Sequence, residues 1–291
     1  MTCPMSNNDN KKGAQYGHTS LSYNSYLKVP DLKQLQICQS NPAHHDEPLF
    51  IVIHQTYELW FKLILHEIDE AMKLLSENRV RRATHFLRRT VAIMKVLVNQ
   101  IHILETMSPQ DFLGFRNNLN PASGFQSTQF REIEMACGLK DIKLLDHFKD
   151  DEIAYPELMK RYQGHTLQDA FYKVLSNQGF DLPGPYDVDE NDPKSLDREN
   201  VRINSLRKLY NHSEEYAELT DLAEVLIDID EQIALWRGNH AMVVERVIGF
   251  KRGTGGSEGV GYLRSTLTKR CFSDLWKVRT VLDVPAITCG P

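Results

Sequence analysis

The sequence predicts an all-α, single-domain helical bundle with long core helices, on three observations. Apolar residues at 49, 53, 57, 60, 64, 68, 72 and 75 recur in steps of three and four, the stripe of one helix face held from about 46 to 76. Similar patterns fill about 80–106, 195–212 and 214–249, whereas no segment alternates apolar and polar residues as a half-buried strand does. Finally, 16 Gly and 12 Pro in 291 residues are too few for a loop-dominated chain, and 41% hydrophobic with 25% charged residues suits a soluble protein with a real core. Long helices joined by short turns, without a fixed-period repeat, pack as a bundle.

The elements follow in order. Residues 1–17, rich in Asn, Lys, Ser and Gly, lack periodicity and read as a disordered tail ahead of a domain over 18–282, with a short tail at 283–291. The helical pattern starts near Pro30. A helix over 46–76 is a rod of roughly 43 Å. Its opening LFIVIH is apolar nearly all round, which predicts burial on several sides. Ser108-Pro109-Gln110-Asp111 is a start signal, with a Ser cap, Pro in the first turn and an acid at the third position. It opens DFLGFRNNL, which stops at Asn120-Pro121. Shorter helices fit near 127–137, 141–149, 156–163 and 166–176, before a turn-rich acidic loop at 181–193. After the last two long patterns come a Gly-rich segment, 253–261, and helices near 262–269 and 272–281.

Several functions are excluded. A net charge of −5 offers no footprint for a nucleic acid or an anionic membrane. No apolar run approaches the ~20 residues of a membrane span. The polar start MTCPMSNNDNKKG is no signal peptide, so a cytoplasmic location is expected. Cys3, Cys38, Cys137, Cys271 and Cys289 are scattered, which excludes a disulfide framework, a zinc ribbon and a C-x-x-C-H haem attachment and leaves buried or incidental thiols. The dinucleotide and phosphate-loop fingerprints and H-E-x-x-H are missing, and no His has Glu three residues before it, as a di-iron bundle needs. Gly255-Gly256-Ser257-Glu258-Gly259 fits the hydrolase elbow, but a long helix stands where that elbow needs a strand.

What remains is a small set of polar groups on apolar faces. His54 has Phe50 one turn before it and Glu58 one turn after. His240 shares a face with Trp236, Val243, Val244 and Val247. A His so placed is a satisfied core residue, an axial iron ligand, or a hydrogen-bonding group in a dry pocket. Met242, two residues from His240, points elsewhere and cannot complete a His/Met pair. Arg116 follows Phe112 and Phe115, and either pairs with a core carboxylate or holds a substrate carboxylate through two parallel bonds. The Gly-rich segment is a surface loop or a lid. His18, His147, His165 and His212 lie in polar surroundings and read as solvated.

Tyr23-Asn-Ser-Tyr26-Leu27, HDEPLFIVIHQTYELWFKLILHE (45–67), FLGFRNNLNPASGFQSTQFREIE (112–134), LWRGNHAMVVERVIGFKRGTGGSEGVGYLR (235–264) and LWKVRTVL (275–282) resemble the tryptophan 2,3-dioxygenase family. The likeness covers about 23–282 and is weak around 150–195. It implies a haem b enzyme, one haem per subunit with ferrous iron for O2. Such an enzyme inserts both oxygen atoms across the indole C2–C3 bond of L-tryptophan, giving N-formylkynurenine, the first step of tryptophan catabolism by the kynurenine pathway. It also implies a homotetramer in which an N-terminal segment enters a neighbour's pocket. Carried over, His240 is the axial iron ligand and His54 the catalytic partner of the indole N–H. Arg116 binds the substrate carboxylate, and Thr254 the ammonium side. Phe50, Phe112 and the neighbour's Tyr23, Tyr26 and Leu27 line the indole pocket, and Ser123 sits at the haem edge.

The chain departs from the family at Phe112, where some members have Tyr, and at Gly238-Asn239, where a basic residue often precedes the ligand. Asn24 replaces a common Gly, and Glu258 a common Ser. The alternative activity is that of relatives with this fold that oxidise a methylated tryptophan to a 2-oxindole in natural-product biosynthesis; a non-catalytic haem carrier is the binding-protein alternative.

Overall fold

A computed structural model describes residues 21–186, 188–189, 191–251 and 259–283. The expected tails at 1–17 and beyond 283 and most of the Gly-rich segment, Thr254 and Glu258 included, lie outside the described residues. The backbone divides into two units, residues 1–38 and 39–291.

In the first unit, α1 (Tyr23–Leu27) and α2 (Val29–Leu32) precede the expected start near Pro30. Ser22 and Ser25 cap α1 reciprocally, and Lys28, left-handed at φ 54°, separates the two. Neither helix buries a residue. Tyr23 is 75% exposed, Tyr26 70% and Leu27 45%.

The second unit is built on α3 (Glu47–Ser76), α4 (Val80–Gln100) and α11 (Ala217–Ile248). Between α4 and α11 lie α5 (Pro109–Arg116), α6 (Thr128–Cys137), α7 (Ile142–Leu145), α8 (Ala154–Gln163), α9 (Leu167–Asn177) and α10 (Pro193–Asn211). After α11 come α12 (Val260–Ser265) and α13 (Ser273–Lys277). No strand occurs among the described residues. The predicted stripe of α3 faces the core: Ile53, Tyr57, Ile64, Ile68 and Leu75 are buried, with Leu49, Trp60 and Met72 packed beside them. Helix α4 runs antiparallel to α3. Gln100 reaches Ile53 and Thr56, Tyr57 donates to the Leu97 carbonyl (2.9 Å), and Arg89 pairs with Glu67 (2.7 Å). Asn78, at φ 59°, makes the turn between them, a conformation Asn tolerates. Buried Asp230 on α11 accepts from the backbone N–H groups of Cys271 and Phe272 and from the Trp276 indole, which pins α13 to the bundle. Cys137 and Cys271 are buried, as expected of inert thiols.

Three expectations need correction. The helix over 80–106 ends at Gln100, and a 3₁₀ turn carries Ile101–Thr106, just as 141–149 breaks into α7 and a 3₁₀ turn at Asp146–Phe148. The LFIVIH stretch is not buried on several sides. Only Ile53 is buried there, and Val52 is 42% exposed, because the first turns of α3 border a cavity on one face and open outward on the other. No helix among the described residues is long and apolar enough to cross a membrane.

Candidate functional site

A cavity of about 550 Å³ opens among α3, α5, α6, α11 and α12. Of the residues the sequence singled out, Phe50, His54, Phe112, Arg116, Ser123 and His240 all border it. Most of the remaining wall is apolar, with Phe61, Leu104, Phe130, Val243 and Val247 among its members. Tyr23, Tyr26 and Leu27 belong to the first unit, and Thr254 lies outside the described residues.

His54 is held by its own helix. Its Nδ1 lies 2.7 Å from the Phe50 carbonyl oxygen, which can only accept, so Nδ1 carries the proton. Burial pushes the His54 pKa below its usual value, against the raising effects of that bond and of Glu58, and the neutral ring keeps a lone pair on Nε2. The Phe50 ring lies 4.1 Å away, centroid to centroid, and Phe112 lies 5.6 Å beyond Phe50, a short aromatic wall.

His240 sits on the α11 face of the same cavity. Burial depresses its pKa to about 4, helped by the positive charges that His54 and Arg131 would place nearby. Trp236, one turn earlier, lies against the ring at 4.9 Å and 31°. That indole is wedged against Phe130 at 4.5 Å, so His240 is backed by packed aromatic surface. Tyr57, beneath Trp236, is pushed up to about 12 by burial and is spent on the Leu97 carbonyl, so it is no base for this site.

Arg116 is half-buried at the last turn of α5. The start signal read from Ser108 is real: its hydroxyl accepts from the Asp111 N–H (3.1 Å) and the Asp111 carboxylate accepts from the Ser108 N–H (3.3 Å). Ser123 caps a 3₁₀ turn at Gly124–Gln126, its Oγ accepting from the Phe125 N–H (3.3 Å), which leaves the hydroxyl proton to be donated. Glu58, one turn past His54, accepts from the Ser127 hydroxyl (2.6 Å) and the Gln129 amide (2.7 Å) and so ties the Ser123 segment to α3.

Sequence reasoning missed the charged floor of the cavity. Glu134 accepts from Arg131 (2.8 Å) and from Arg237 (2.5 Å), and Arg237 also donates to the Lys269 carbonyl (3.0 Å). The Arg131 guanidinium lies 5.1 Å from the Phe125 ring centroid. Two guanidinium groups against one carboxylate leave this buried floor net positive. Arg131 and Glu134 stand three apart on one helix, a visible signal, but Arg237 is 103 residues away and nothing local announces it. His147, read as solvated, is exposed, with its ring edge-on to Phe125 at 5.1 Å.

These features fit a planar, mostly apolar group with two carboxylates and one metal to be ligated from a single side. His240 is neutral, borders the cavity, has Trp236 against its ring and makes no hydrogen bond to a described residue, so its chemistry suits an iron ligand. The apolar walls suit a porphyrin ring, and the Ser123 hydroxyl and the positive floor suit its acid groups.

Comparison with known proteins agrees. The family model described as tryptophan 2,3-dioxygenase matches residues 7–182 and 188–282, a match that begins ahead of the first block read from the sequence. The chain is 43% identical over 263 residues to a tryptophan 2,3-dioxygenase of Herpetosiphon aurantiacus, covering 90% of this chain and 99% of that one. It is 42% identical over 277 residues to one from a Nocardioides species, covering 94% and 97%, and 38% identical over 264 residues to one from Myxococcus xanthus, covering 91% and 90%. Likeness that runs through nearly the whole of each relative is more than a shared helical fold. The chain belongs to the tryptophan 2,3-dioxygenase family.

Proposed function

We propose that this chain opens the indole C2–C3 bond of L-tryptophan with O2, giving N-formylkynurenine, with one haem b per chain. The observation that carries the reading is the cavity itself, where two neutral histidines and Arg116 border a mostly apolar space whose floor is the Arg131–Glu134–Arg237 cluster. When bound, ferrous haem supplies the O2-activating chemistry. His240 holds its iron, with the ring braced by Trp236. The indole lies against Phe50 and Phe112, and its N–H donates to His54 Nε2, the nitrogen left free by the Phe50 carbonyl. Indole is so weak an acid that full proton removal is implausible, so His54 orients the ring more than it deprotonates it. The Arg116 fork receives the substrate carboxylate, and Thr254 the ammonium side. Ser123 donates to an acid group at the haem edge.

His54 must be neutral to accept that hydrogen bond. Protonation removes the acceptor, so kcat/KM falls as pH drops through the His54 pKa and is flat above it. Since burial depresses that pKa, the acid limb lies below pH 6.5. A pH profile measured alongside His54→Ala checks this; an acid limb at neutral pH, or one that survives the substitution, counts against the role.

The exposed Tyr23, Tyr26 and Leu27 are too few for a core of their own and dock on a neighbour's pocket in a homotetramer. Light scattering on the active enzyme should give the mass of four chains, and an active monomer would contradict it.

The deciding experiment is isotopic. With 18O2 and L-tryptophan, the product should be N-formylkynurenine with two labelled atoms, formed without stoichiometric ascorbate or another donor. The dioxygenase route consumes no external electrons, and the sequence shows no flavin or nicotinamide fingerprint to deliver them. A dominant, singly labelled oxindole that requires a reductant would overturn the reading.

A further inference from the structure

The segment just before α3 is tied to itself and to the turn that follows α5, and one of its side chains, His44, meets α5 directly. Glu47, the first residue of α3, is fully buried. Its carboxylate accepts from the backbone N–H groups of Gln39 (2.6 Å) and Ser40 (3.1 Å) and from the Ser40 hydroxyl (2.5 Å). Ser40 Oγ in turn accepts from the His44 N–H (2.8 Å). The Asn118 amide, two residues past Arg116, donates to the Gln39 carbonyl (3.2 Å). His44 itself is oriented by the Asp46 N–H, which donates to its Nδ1 (3.2 Å), and its ring lies 5.4 Å from that of Phe115. At Gly114 the approach is closer still: an added Cβ would stand 2.8 Å from both Cδ2 and Nε2 of His44.

Glycine weakens a helix interior relative to alanine, and an eight-residue helix has little orientation of its own. Gly114 in the middle of α5 is explained by the imidazole that occupies the place of its side chain. Helix α5 carries Phe112 and Arg116 on either side of that contact.

We infer that residues 39–47 form a strap on α5, and that His44, seated on Gly114, is a positioning residue that aims Arg116 at the substrate carboxylate. The inference rests on the reading of Arg116 given above. His44 touches no substrate in this account; it sets the angle of the helix that does.

The test is a double-mutant cycle on the holoenzyme, with His44→Ala, Gly114→Ala and the pair, read as haem content, kcat and KM for L-tryptophan, and binding of tryptamine, which lacks the carboxylate. Each single variant should raise KM about tenfold, since a small misplacement of a binding group is costly. The Soret band, kcat and tryptamine binding should stay near wild type. The double variant should be no worse than His44→Ala alone, because an alanine at 114 then meets no ring. Unchanged KM in His44→Ala, additive losses in the pair, or equal losses for tryptamine and tryptophan would overturn the strap. Arg116→Lys measured in parallel keeps the two readings apart: near-normal KM there would sink the carboxylate role itself, whatever His44→Ala does.

Discussion

His240→Ala should leave the protein folded but nearly free of haem, with retention down at least tenfold and partly restored by added imidazole. The expectation follows from how the cavity divides its labour. Its walls bury a flat apolar group without choosing its orientation, and its charged floor attracts carboxylates without holding a metal. In the proposed reading His240 ligates the iron from the α11 side, with Trp236 against its ring and Phe130 behind that indole. Alanine removes the nitrogen and leaves a gap of about an imidazole, which free imidazole can fill. Because His240 makes no hydrogen bond to a described residue, its loss breaks no polar network among them, and the helical signal in circular dichroism should survive. A variant with a wild-type Soret band and normal activity would show that iron is held elsewhere.

Arg116→Lys should lower kcat/KM for L-tryptophan by two decades or more with haem content unchanged. Lysine keeps the charge but replaces a planar fork with a single point donor. With Arg131 and Arg237 both paired to Glu134, the carboxylate would then be left partly unpaired, and losing a buried charged hydrogen bond costs about 2–5 kcal/mol. The same variant should discriminate poorly between L-tryptophan and tryptamine, since the fork serves only the former. Near-normal kcat/KM would remove Arg116 from the substrate site.

The helices, His54, His240 and Arg116 were legible in the sequence for one reason. An amphipathic stripe is a local property, written in residues three and four apart, and a polar side chain set into such a stripe stands out without knowledge of the partner surface. The Ser108–Asp111 cap was legible for the same reason, since both its hydrogen bonds close within three residues. The tautomer of His54 was not, although its partner is also close in sequence. The carbonyl of Phe50 is four residues away, but whether the ring bonds to it depends on the rotamer that the cavity permits.

Other features belonged wholly to the tertiary structure. LFIVIH reads as deeply buried because composition counts apolar side chains and cannot see that one side of the helix lines a cavity and the other faces outward. Glu134 reads as a partner of Arg131, yet the net charge of the cavity floor is set by Arg237, brought in from 103 residues away by α11. Gly114 reads as a flaw in a short helix until His44 is seen in the place of its side chain. The sequence by itself determined that this chain is helical and which few polar residues stand on apolar helix faces, because helix periodicity is decided within a turn or two of backbone. The packing of those helices decided which of these residues share a cavity, which way each hydrogen bond runs and what charge surrounds them, because burial and pairing depend on side chains that meet only after the long helices have packed.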